Sequence, residues 1–469
     1  MSAPADNPYT RGMASFVSGV SLEAVPDEVR ERLKLLILDS LGCALYGADL
    51  EWTRILIDTL SAVDETRNVG LWGTQHRLSA LNAALVNGTM VQGFELDDVH
   101  RQGVLHVGAV TLPALIAIAE TRPGMTGAEF LTAAVAGYEI GPRVGMCMGQ
   151  EHIAQGWHSG ATVGVFSAAA GAARALGLST DQTVHALGIA GTQSAGLMAA
   201  QFGAMVKRMH AGRSSQSGLY GALLAEGGFT GIHHVFEAEY GGFCSTFSRS
   251  QDRFDREQLT AGLGSTFEIM RIALKFYSCV GSNQTTLDAV RLIRERCPFE
   301  IDELDRIVVH ASEVTFHHTY WLYEPAGMTS AQLNLPFCVA TLLLEGEVFV
   351  DQFDDAAIGD PDRIALSRKV EVVEDSEITA LGSKFRHKVR VEVFLKDGGR
   401  FEETVESARG SEHRFASPSD VIGKFETLAC KALPDRQVGQ LRDAILGLED
   451  LDRAAEIGRL LCPSVPRQN

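Results

Sequence analysis

Positive charge is in short supply in this chain: 41 Lys and Arg face 59 Asp and Glu, for a formal charge of −18. Phosphate binding needs a basic face, so no nucleic-acid partner is expected. Cysteine is sparse and scattered, eight residues from Cys43 to Cys462 with no C-x-x-C pair. That spacing offers neither a zinc framework nor a disulfide scaffold, and it suits a reducing compartment. The opening MSAPADNPYTRGMASF has no basic region followed by an apolar run, so no signal peptide is expected and the expected location is the cytoplasm. Serine-nucleophile and nucleotide motifs are missing too: there is no G-x-S-x-G, no Walker loop and no G-x-G-x-x-G after a strand. No cofactor is therefore expected. One stretch, Gln182 to Val206, carries no formal charge and is long enough to cross a bilayer. Its glycines and polar residues (Thr183, His185, Thr192, Gln193, Ser194, Gln201) predict a buried helix pair instead, and no membrane partner.

What is present is globular: 45% hydrophobic and 21% charged residues over 469 positions, enough for two or three domains. Pro26-Asp27 opens a helical pattern with Val29, Leu33, Leu36, Ile37 and Leu41 on one face. Thr126-x-x-Glu129 and Ser179-x-x-Gln182 have the spacing of capping boxes. Ala and Gly crowd residues 80–230, which favours closely packed helices. Near residue 265 the pattern changes. Ile272, Leu274 and Phe276 alternate, as do Ile307, Val309 and Ala311, and Val389 to Leu395 runs through Asp397-Gly398-Gly399 into Phe401 to Val405 as a hairpin. Leu333 to Leu344 reads as a helix between them. After residue 410 the pattern is helical again from Ser417. The expected fold is mainly α with an α+β part: a helical domain over 1–264, an α+β lid over 265–408, and helices over 409–469 rejoining the first domain.

Four segments could carry chemistry. FELDDVHRQGVLH, Phe94 to His106, holds Glu95, Asp97, Asp98, His100 and His106 between apolar runs. A carboxylate can orient an imidazole for general acid/base work. A solvated loop is the plain alternative, and a metal site the sharp one, although the spacing matches no compact ligand motif. In GWHSGATVGVFSAAAGAARALG, His158 stands just before a helix of small residues whose free N–H groups favour an anion; a packed structural histidine is the alternative. In KRMHAGRSSQSGLYG, Lys207, Arg208, His210 and Arg213 form a basic knot, either a carboxylate clamp or a solvated helix start. In LKFYSCVGSNQ, Lys275 sits on a predicted strand, and Cys279 has no His-Asn partnership and reads as packing.

Taken in order, these segments resemble the MmgE/PrpD family, which includes 2-methylcitrate dehydratase, cis-aconitate decarboxylase and iminodisuccinate epimerase. The resemblance runs from VPDEVRERLKLLILDSLGCALYG through LHVGAVTLPALIAIAE to LNLPFCVATLLLEGEVFVDQF. It implies a helical main domain interrupted by an α+β lid, a site between them, no metal, and a homodimer. By position it implies catalytic roles for Glu95, Asp97, His106, His158, Lys207 and Lys275. Arg208 and His210 would bind carboxylates, with a site tyrosine at Tyr320, or at Tyr323 if the alignment slips. Glu95-Leu96-Asp97-Asp98 stands where the family commonly has D-F-D-D, and Val280 and Gln284 stand where the decarboxylase has histidines. The expected function is a lyase, a dehydratase of a small hydroxy-di- or tricarboxylate. An isomerase, epimerase or decarboxylase on a similar substrate is the neighbouring expectation, and a metal-dependent hydrolase the alternative from another class.

Overall fold

In the computed structural model, which describes residues 7–149, 151–250 and 252–464, the helical pattern after Pro26 becomes the helix Asp27–Gly47, with Val29, Leu33, Leu36, Ile37 and Leu41 all buried. Both capping boxes form. Thr126 and Glu129 exchange side-chain and backbone bonds at the start of Gly127–Met148, as do Ser179 and Gln182 before Thr180–Gly191. Each cap contributes about 1 kcal/mol and fixes where its helix begins.

Small residues set the distances between helices. A Cβ on Gly88 would lie 2.6 Å from Gly212 Cα, and one on Gly212 would lie 2.0 Å from Leu85 O. The helices Ala80–Val91 and Val206–Glu226 therefore cross backbone to backbone. That crossing has a direct consequence for function, because Glu95 follows the first helix and Lys207 opens the second. The uncharged stretch splits into the end of Thr180–Gly191, a short 3-10 turn Met198–Phe202 and the start of Val206–Glu226. Among the described residues no helix is long and apolar enough to cross a membrane.

The α+β part is built on a four-stranded sheet in the order Val370–Glu374, Leu304–Ala311, Val389–Leu395, Arg400–Val405. The first pair is parallel and the others antiparallel. Alternation gives the hairpin one apolar face, with Val389, Val391 and Val393 fully buried beside Ile307 and Val309. At about 1.5–3 kcal/mol for each side chain buried, that face holds the sheet to the helices Gly281–Arg296 and Leu335–Glu345. The edge strand Val370–Glu374 has no counterpart in the sequence reading.

Two hydrophobic cores result. One runs from Met13 to Leu274 and resumes from Ala416 to Leu461; the other spans Tyr277 to Val405 and borrows Cys43, Phe94, Leu96 and Leu428. The chain thus changes core between Leu274 and Tyr277 and changes back between Val405 and Ala416. Lys275 lies at the first crossing. It is not on a strand as expected: the local strand is only Ile272–Ala273, because its partner Val99–His100 is equally short.

Candidate active site

The Phe94–His106 segment is buried, not a solvated loop: Glu95, Asp97, Asp98 and His100 are each at most 4% exposed. Its backbone is strained. Glu95 (φ 57°) and Val104 (φ 48°) are two of the three non-glycine residues with positive φ among those described. Such conformations cost about 1–3 kcal/mol each and persist only where surrounding contacts impose them. For Glu95 the contacts are plain. Lys207 and Arg208 both donate to Oε1, Arg208 from 2.7 Å, and Lys275 Nζ lies 3.4 Å from Oε2. Burial would push this carboxyl up, but Lys207, Lys275 and Arg208 together hold it well below the usual carboxylate range. Glu95 is thus a fixed anion at neutral pH.

Lys275 also lies 3.9 Å from Asp97 Oδ1, and Asp97 Oδ2 is 2.9 Å from His106 Nδ1. The His106 contact is an ion-pair approach and not an aligned hydrogen bond. Three cations (Lys207, Arg208, Lys275) therefore face two carboxylates (Glu95, Asp97), a local surplus of positive charge in an acidic protein. Burial pulls Lys207 below the ordinary lysine value although Glu95 opposes the shift.

The other members of the segment have structural partners. His100 accepts from Gly103 N at Nδ1 and meets Glu268 through Nε2 at 3.0 Å, which fixes its tautomer. Asp98 accepts the Gly108 N–H at 3.1 Å at the start of the helix Val107–Thr121. Burial, then Asp97, raise the Asp98 carboxyl well above its usual range. Among the described residues no three His, Cys, Asp or Glu side chains converge as metal ligands would.

Across from this cluster, His158 Nδ1 lies 3.0 Å from His210 Nδ1, so one ring must donate and the other accept. Burial first, and then Lys207, pull both imidazoles down, His158 strongly. The helix after His158 is only the four-residue turn Ser159–Thr162, followed by Gly164–Ala175.

A cavity of about 540 Å³ lies between the two cores and is lined by Glu95, His106, His158, Lys207 and Lys275. Asp97, Arg208 and His210 support this lining from behind. Arg208 is 2% exposed, donates also to Thr329 and Gln332, and lies over the Trp52 ring. Arg213 is exposed and outside the cluster. Neither tyrosine reaches the cavity lining. Tyr320 packs on Phe316, and the Tyr323 hydroxyl is buried and donates to Ile358 O at 3.2 Å.

The cavity is lined also by residues that the sequence did not single out. His318, Arg386, His387 and Arg409 line the same cavity, together with Arg101 of the site loop. Arg386 donates to His387 Nε2 at 3.1 Å; burial, then the nearby Arg101, pull its guanidinium down to about 10, with Glu412 opposing. Arg101 pairs with Glu412 at 3.0 Å. Both arginines also line an adjoining cavity of about 680 Å³. Their spacing along the chain, from 101 to 409, left no local motif. Gln284 is locked, with its oxygen accepting from Phe276 and Tyr277 N–H and its nitrogen donating to Tyr277 O and Cys279 O.

A helical body, an α+β unit inserted into it, and a cavity between them lined by lysine-clamped carboxylate and imidazole define an enzyme of the MmgE/PrpD class. Comparison with known families agrees: the MmgE/PrpD N-terminal domain matches residues 11–255 and the C-terminal domain residues 277–450, and the chain belongs to this family. It is 33% identical to a cis-aconitate decarboxylase-like protein, oryM, of Aspergillus oryzae, over 98% of each chain. It is 31% identical to the cis-aconitate decarboxylase of Aspergillus terreus, over 97% of this chain and 96% of that one. It is 27% identical to the human cis-aconitate decarboxylase, over 97% and 95%.

Proposed function

We propose that this protein is a metal-independent lyase for a small di- or tricarboxylate, working by proton transfer next to a carboxylate. The observation that carries the reading is the cavity wall on which Lys207 and Lys275 flank Glu95 while His106 rests against Asp97. Carbanion formation beside a carboxylate piles a second negative charge onto that group. Preorganised ammonium groups offset it without reorganisation at the moment of reaction. His106 is the acid/base, and Asp97 gives the imidazolium an anionic partner. His158, kept neutral by burial and Lys207, is the second acid/base and shares its proton with His210. Arg101 of the site loop, with Arg386 and Arg409 across the cavity, holds the remaining carboxylates, which is why a substrate with carboxylates at both ends fits. A homodimer belongs to the same reading and rests on the family resemblance; a reducing, cytoplasmic location rests on the scattered cysteines.

The relatives' names favour decarboxylation. In that reaction the C–C bonding pair of the departing carboxylate shifts into the adjacent alkene, CO2 leaves, and His106 as imidazolium protonates the far carbon. Dehydration is the second reading: by the family resemblance, Val280 and Gln284, which line the cavity, stand where the decarboxylase has histidines. In that reaction neutral His106 removes the α proton, the pair forms the alkene, and the β-hydroxyl leaves as water with a proton from the opposite side. NMR of the enzyme with cis-aconitate and, separately, with citrate and 2-methylcitrate distinguishes the two. Loss of CO2 from cis-aconitate supports the first, alkene formation from a hydroxy acid supports the second, and inertness toward all of them contradicts the proposal.

A further inference from the structure

Beneath the cavity, out of reach of any substrate, a third lysine ties the site together. Lys424, on the helix Pro418–Ala429 that returns to the first core, is 6% exposed. Its ammonium donates to Leu96 O and to Lys275 O, both at 2.7 Å, and lies 2.6 Å from Asp39 Oδ1 as an ion pair. The partners come from three separate stretches. Leu96 lies between Glu95 and Asp97, Lys275 is the residue at the crossing into the α+β unit, and Asp39 belongs to the helix Asp27–Gly47. An ammonium buried this deeply is costly unless it is paired and hydrogen-bonded. Here two N–H groups are spent on backbone carbonyls of the active cluster, and the charge is matched by Asp39.

We infer that Lys424 is a positioning residue, which sets the separation between the Glu95–Asp97 loop and Lys275 by holding both backbones to one point. This inference rests on the reading of the Glu95–Lys275 cluster as the reaction centre. The geometry suits the task. Glu95 sits at positive φ, and the carbonyl of the next residue is the one Lys424 fixes. The lid lysine cannot move relative to that carboxylate without breaking a charge-assisted bond. A plain structural account exists, in which Lys424 only neutralises buried Asp39. The two accounts differ in what happens when both charges are removed together.

The test compares Asp39→Asn with Asp39→Asn/Lys424→Met. Removing a buried pair as a unit is tolerated far better than removing one partner, so the double variant is expected to fold. Two readouts are taken: hydrogen exchange of peptides covering 94–98 and 272–276, and kcat and KM on whichever of cis-aconitate, citrate or 2-methylcitrate the wild type converts. Positioning predicts that the double variant exchanges about tenfold faster than Asp39→Asn at 94–98 and 272–276. It also predicts a kcat down about 30-fold or more with KM within about threefold. A double variant that matches Asp39→Asn in exchange at those peptides overturns the inference, as does loosening confined to 36–43 and 421–428. Inertness of the wild type toward all three acids would count against the proposed function, and exchange alone then decides the role of Lys424. If either variant does not fold, Lys424→Arg, which keeps the charge but moves the donors, is compared with the wild type, with the same two outcomes.

Discussion

On the helical wall of the cavity, Glu95, His106, His158 and Lys207 come from three short segments, each at the end of a helix packed through small residues. On the facing wall, His318 comes from the helix Glu313–Thr319, and Arg386, His387 and Arg409 from connections later in the chain. The first wall is held by interlocking ion pairs, a strained backbone and the Lys424 anchor. The second is held by other means: Ser312 and Thr315 donate to Arg386 O, Thr285 donates to His387 O, and Arg409 pairs with Asp420 and lies over the Phe276 ring. Under the proposed function, the bond-making chemistry belongs to the first wall and the choice of substrate to the second, where side chains can change without collapsing the charge cluster.

The largest effect is expected where the first wall is broken. Glu95→Ala leaves Lys207, Arg208 and Lys275 buried without their anion, and should cost about 3–5 kcal/mol in denaturant melts, with activity lost. The sign of its pH dependence follows from the depressed carboxyl. The contribution of Glu95 is fully present above the unfolded-state value of about 4.3, and it is lost as pH falls through the lower folded value. The stability gap between wild type and Glu95→Ala should therefore be flat from pH 6 to 8 and shrink only in strong acid.

A lid variant should behave differently. Arg386→Met should raise KM for a tricarboxylate about tenfold or more while kcat stays within about threefold, as measured by initial rates. An equal loss in kcat would place Arg386 with the chemistry and erase the division between the walls.

The smallest effect is expected at Asp98. Burial, then Asp97, push that carboxyl well above its usual range, so Asp98→Asn, which keeps the shape and gives up only a disfavoured charge, should be tolerated. A shift within about 1 kcal/mol is expected in thermal or urea unfolding at pH 7. A larger loss would mean that the carboxyl is ionised in the folded protein.

The same division explains what was legible in the sequence. Periodicity and capping boxes revealed the helices around Leu33, Thr126 and Ser179, because those signals are local. The short segments around Glu95, His158 and Lys207 were visible because each concentrates its charged and imidazole groups, and family order linked them. Lys275 was found on its motif but assigned to a strand, since the alternation of Ile272, Leu274 and Phe276 is real while the pairing partner is only two residues long. His318, Arg386 and His387 carry no local pattern; tertiary packing alone brings them to the cavity. Tyr320 and Tyr323 mark the reverse case, in which a position inherited from the family packs into the lid core.

The central claim is that His106 moves the proton beside the substrate carboxylate, and the most direct test is solvent-proton tracing. With the converted acid in D2O, the wild type should place deuterium at the carbon that gains a proton, or exchange the α proton during dehydration. His106→Gln, folded by circular dichroism, should do so at least about 100-fold more slowly. Deuterium transfer by His106→Gln at the wild-type rate would contradict the account.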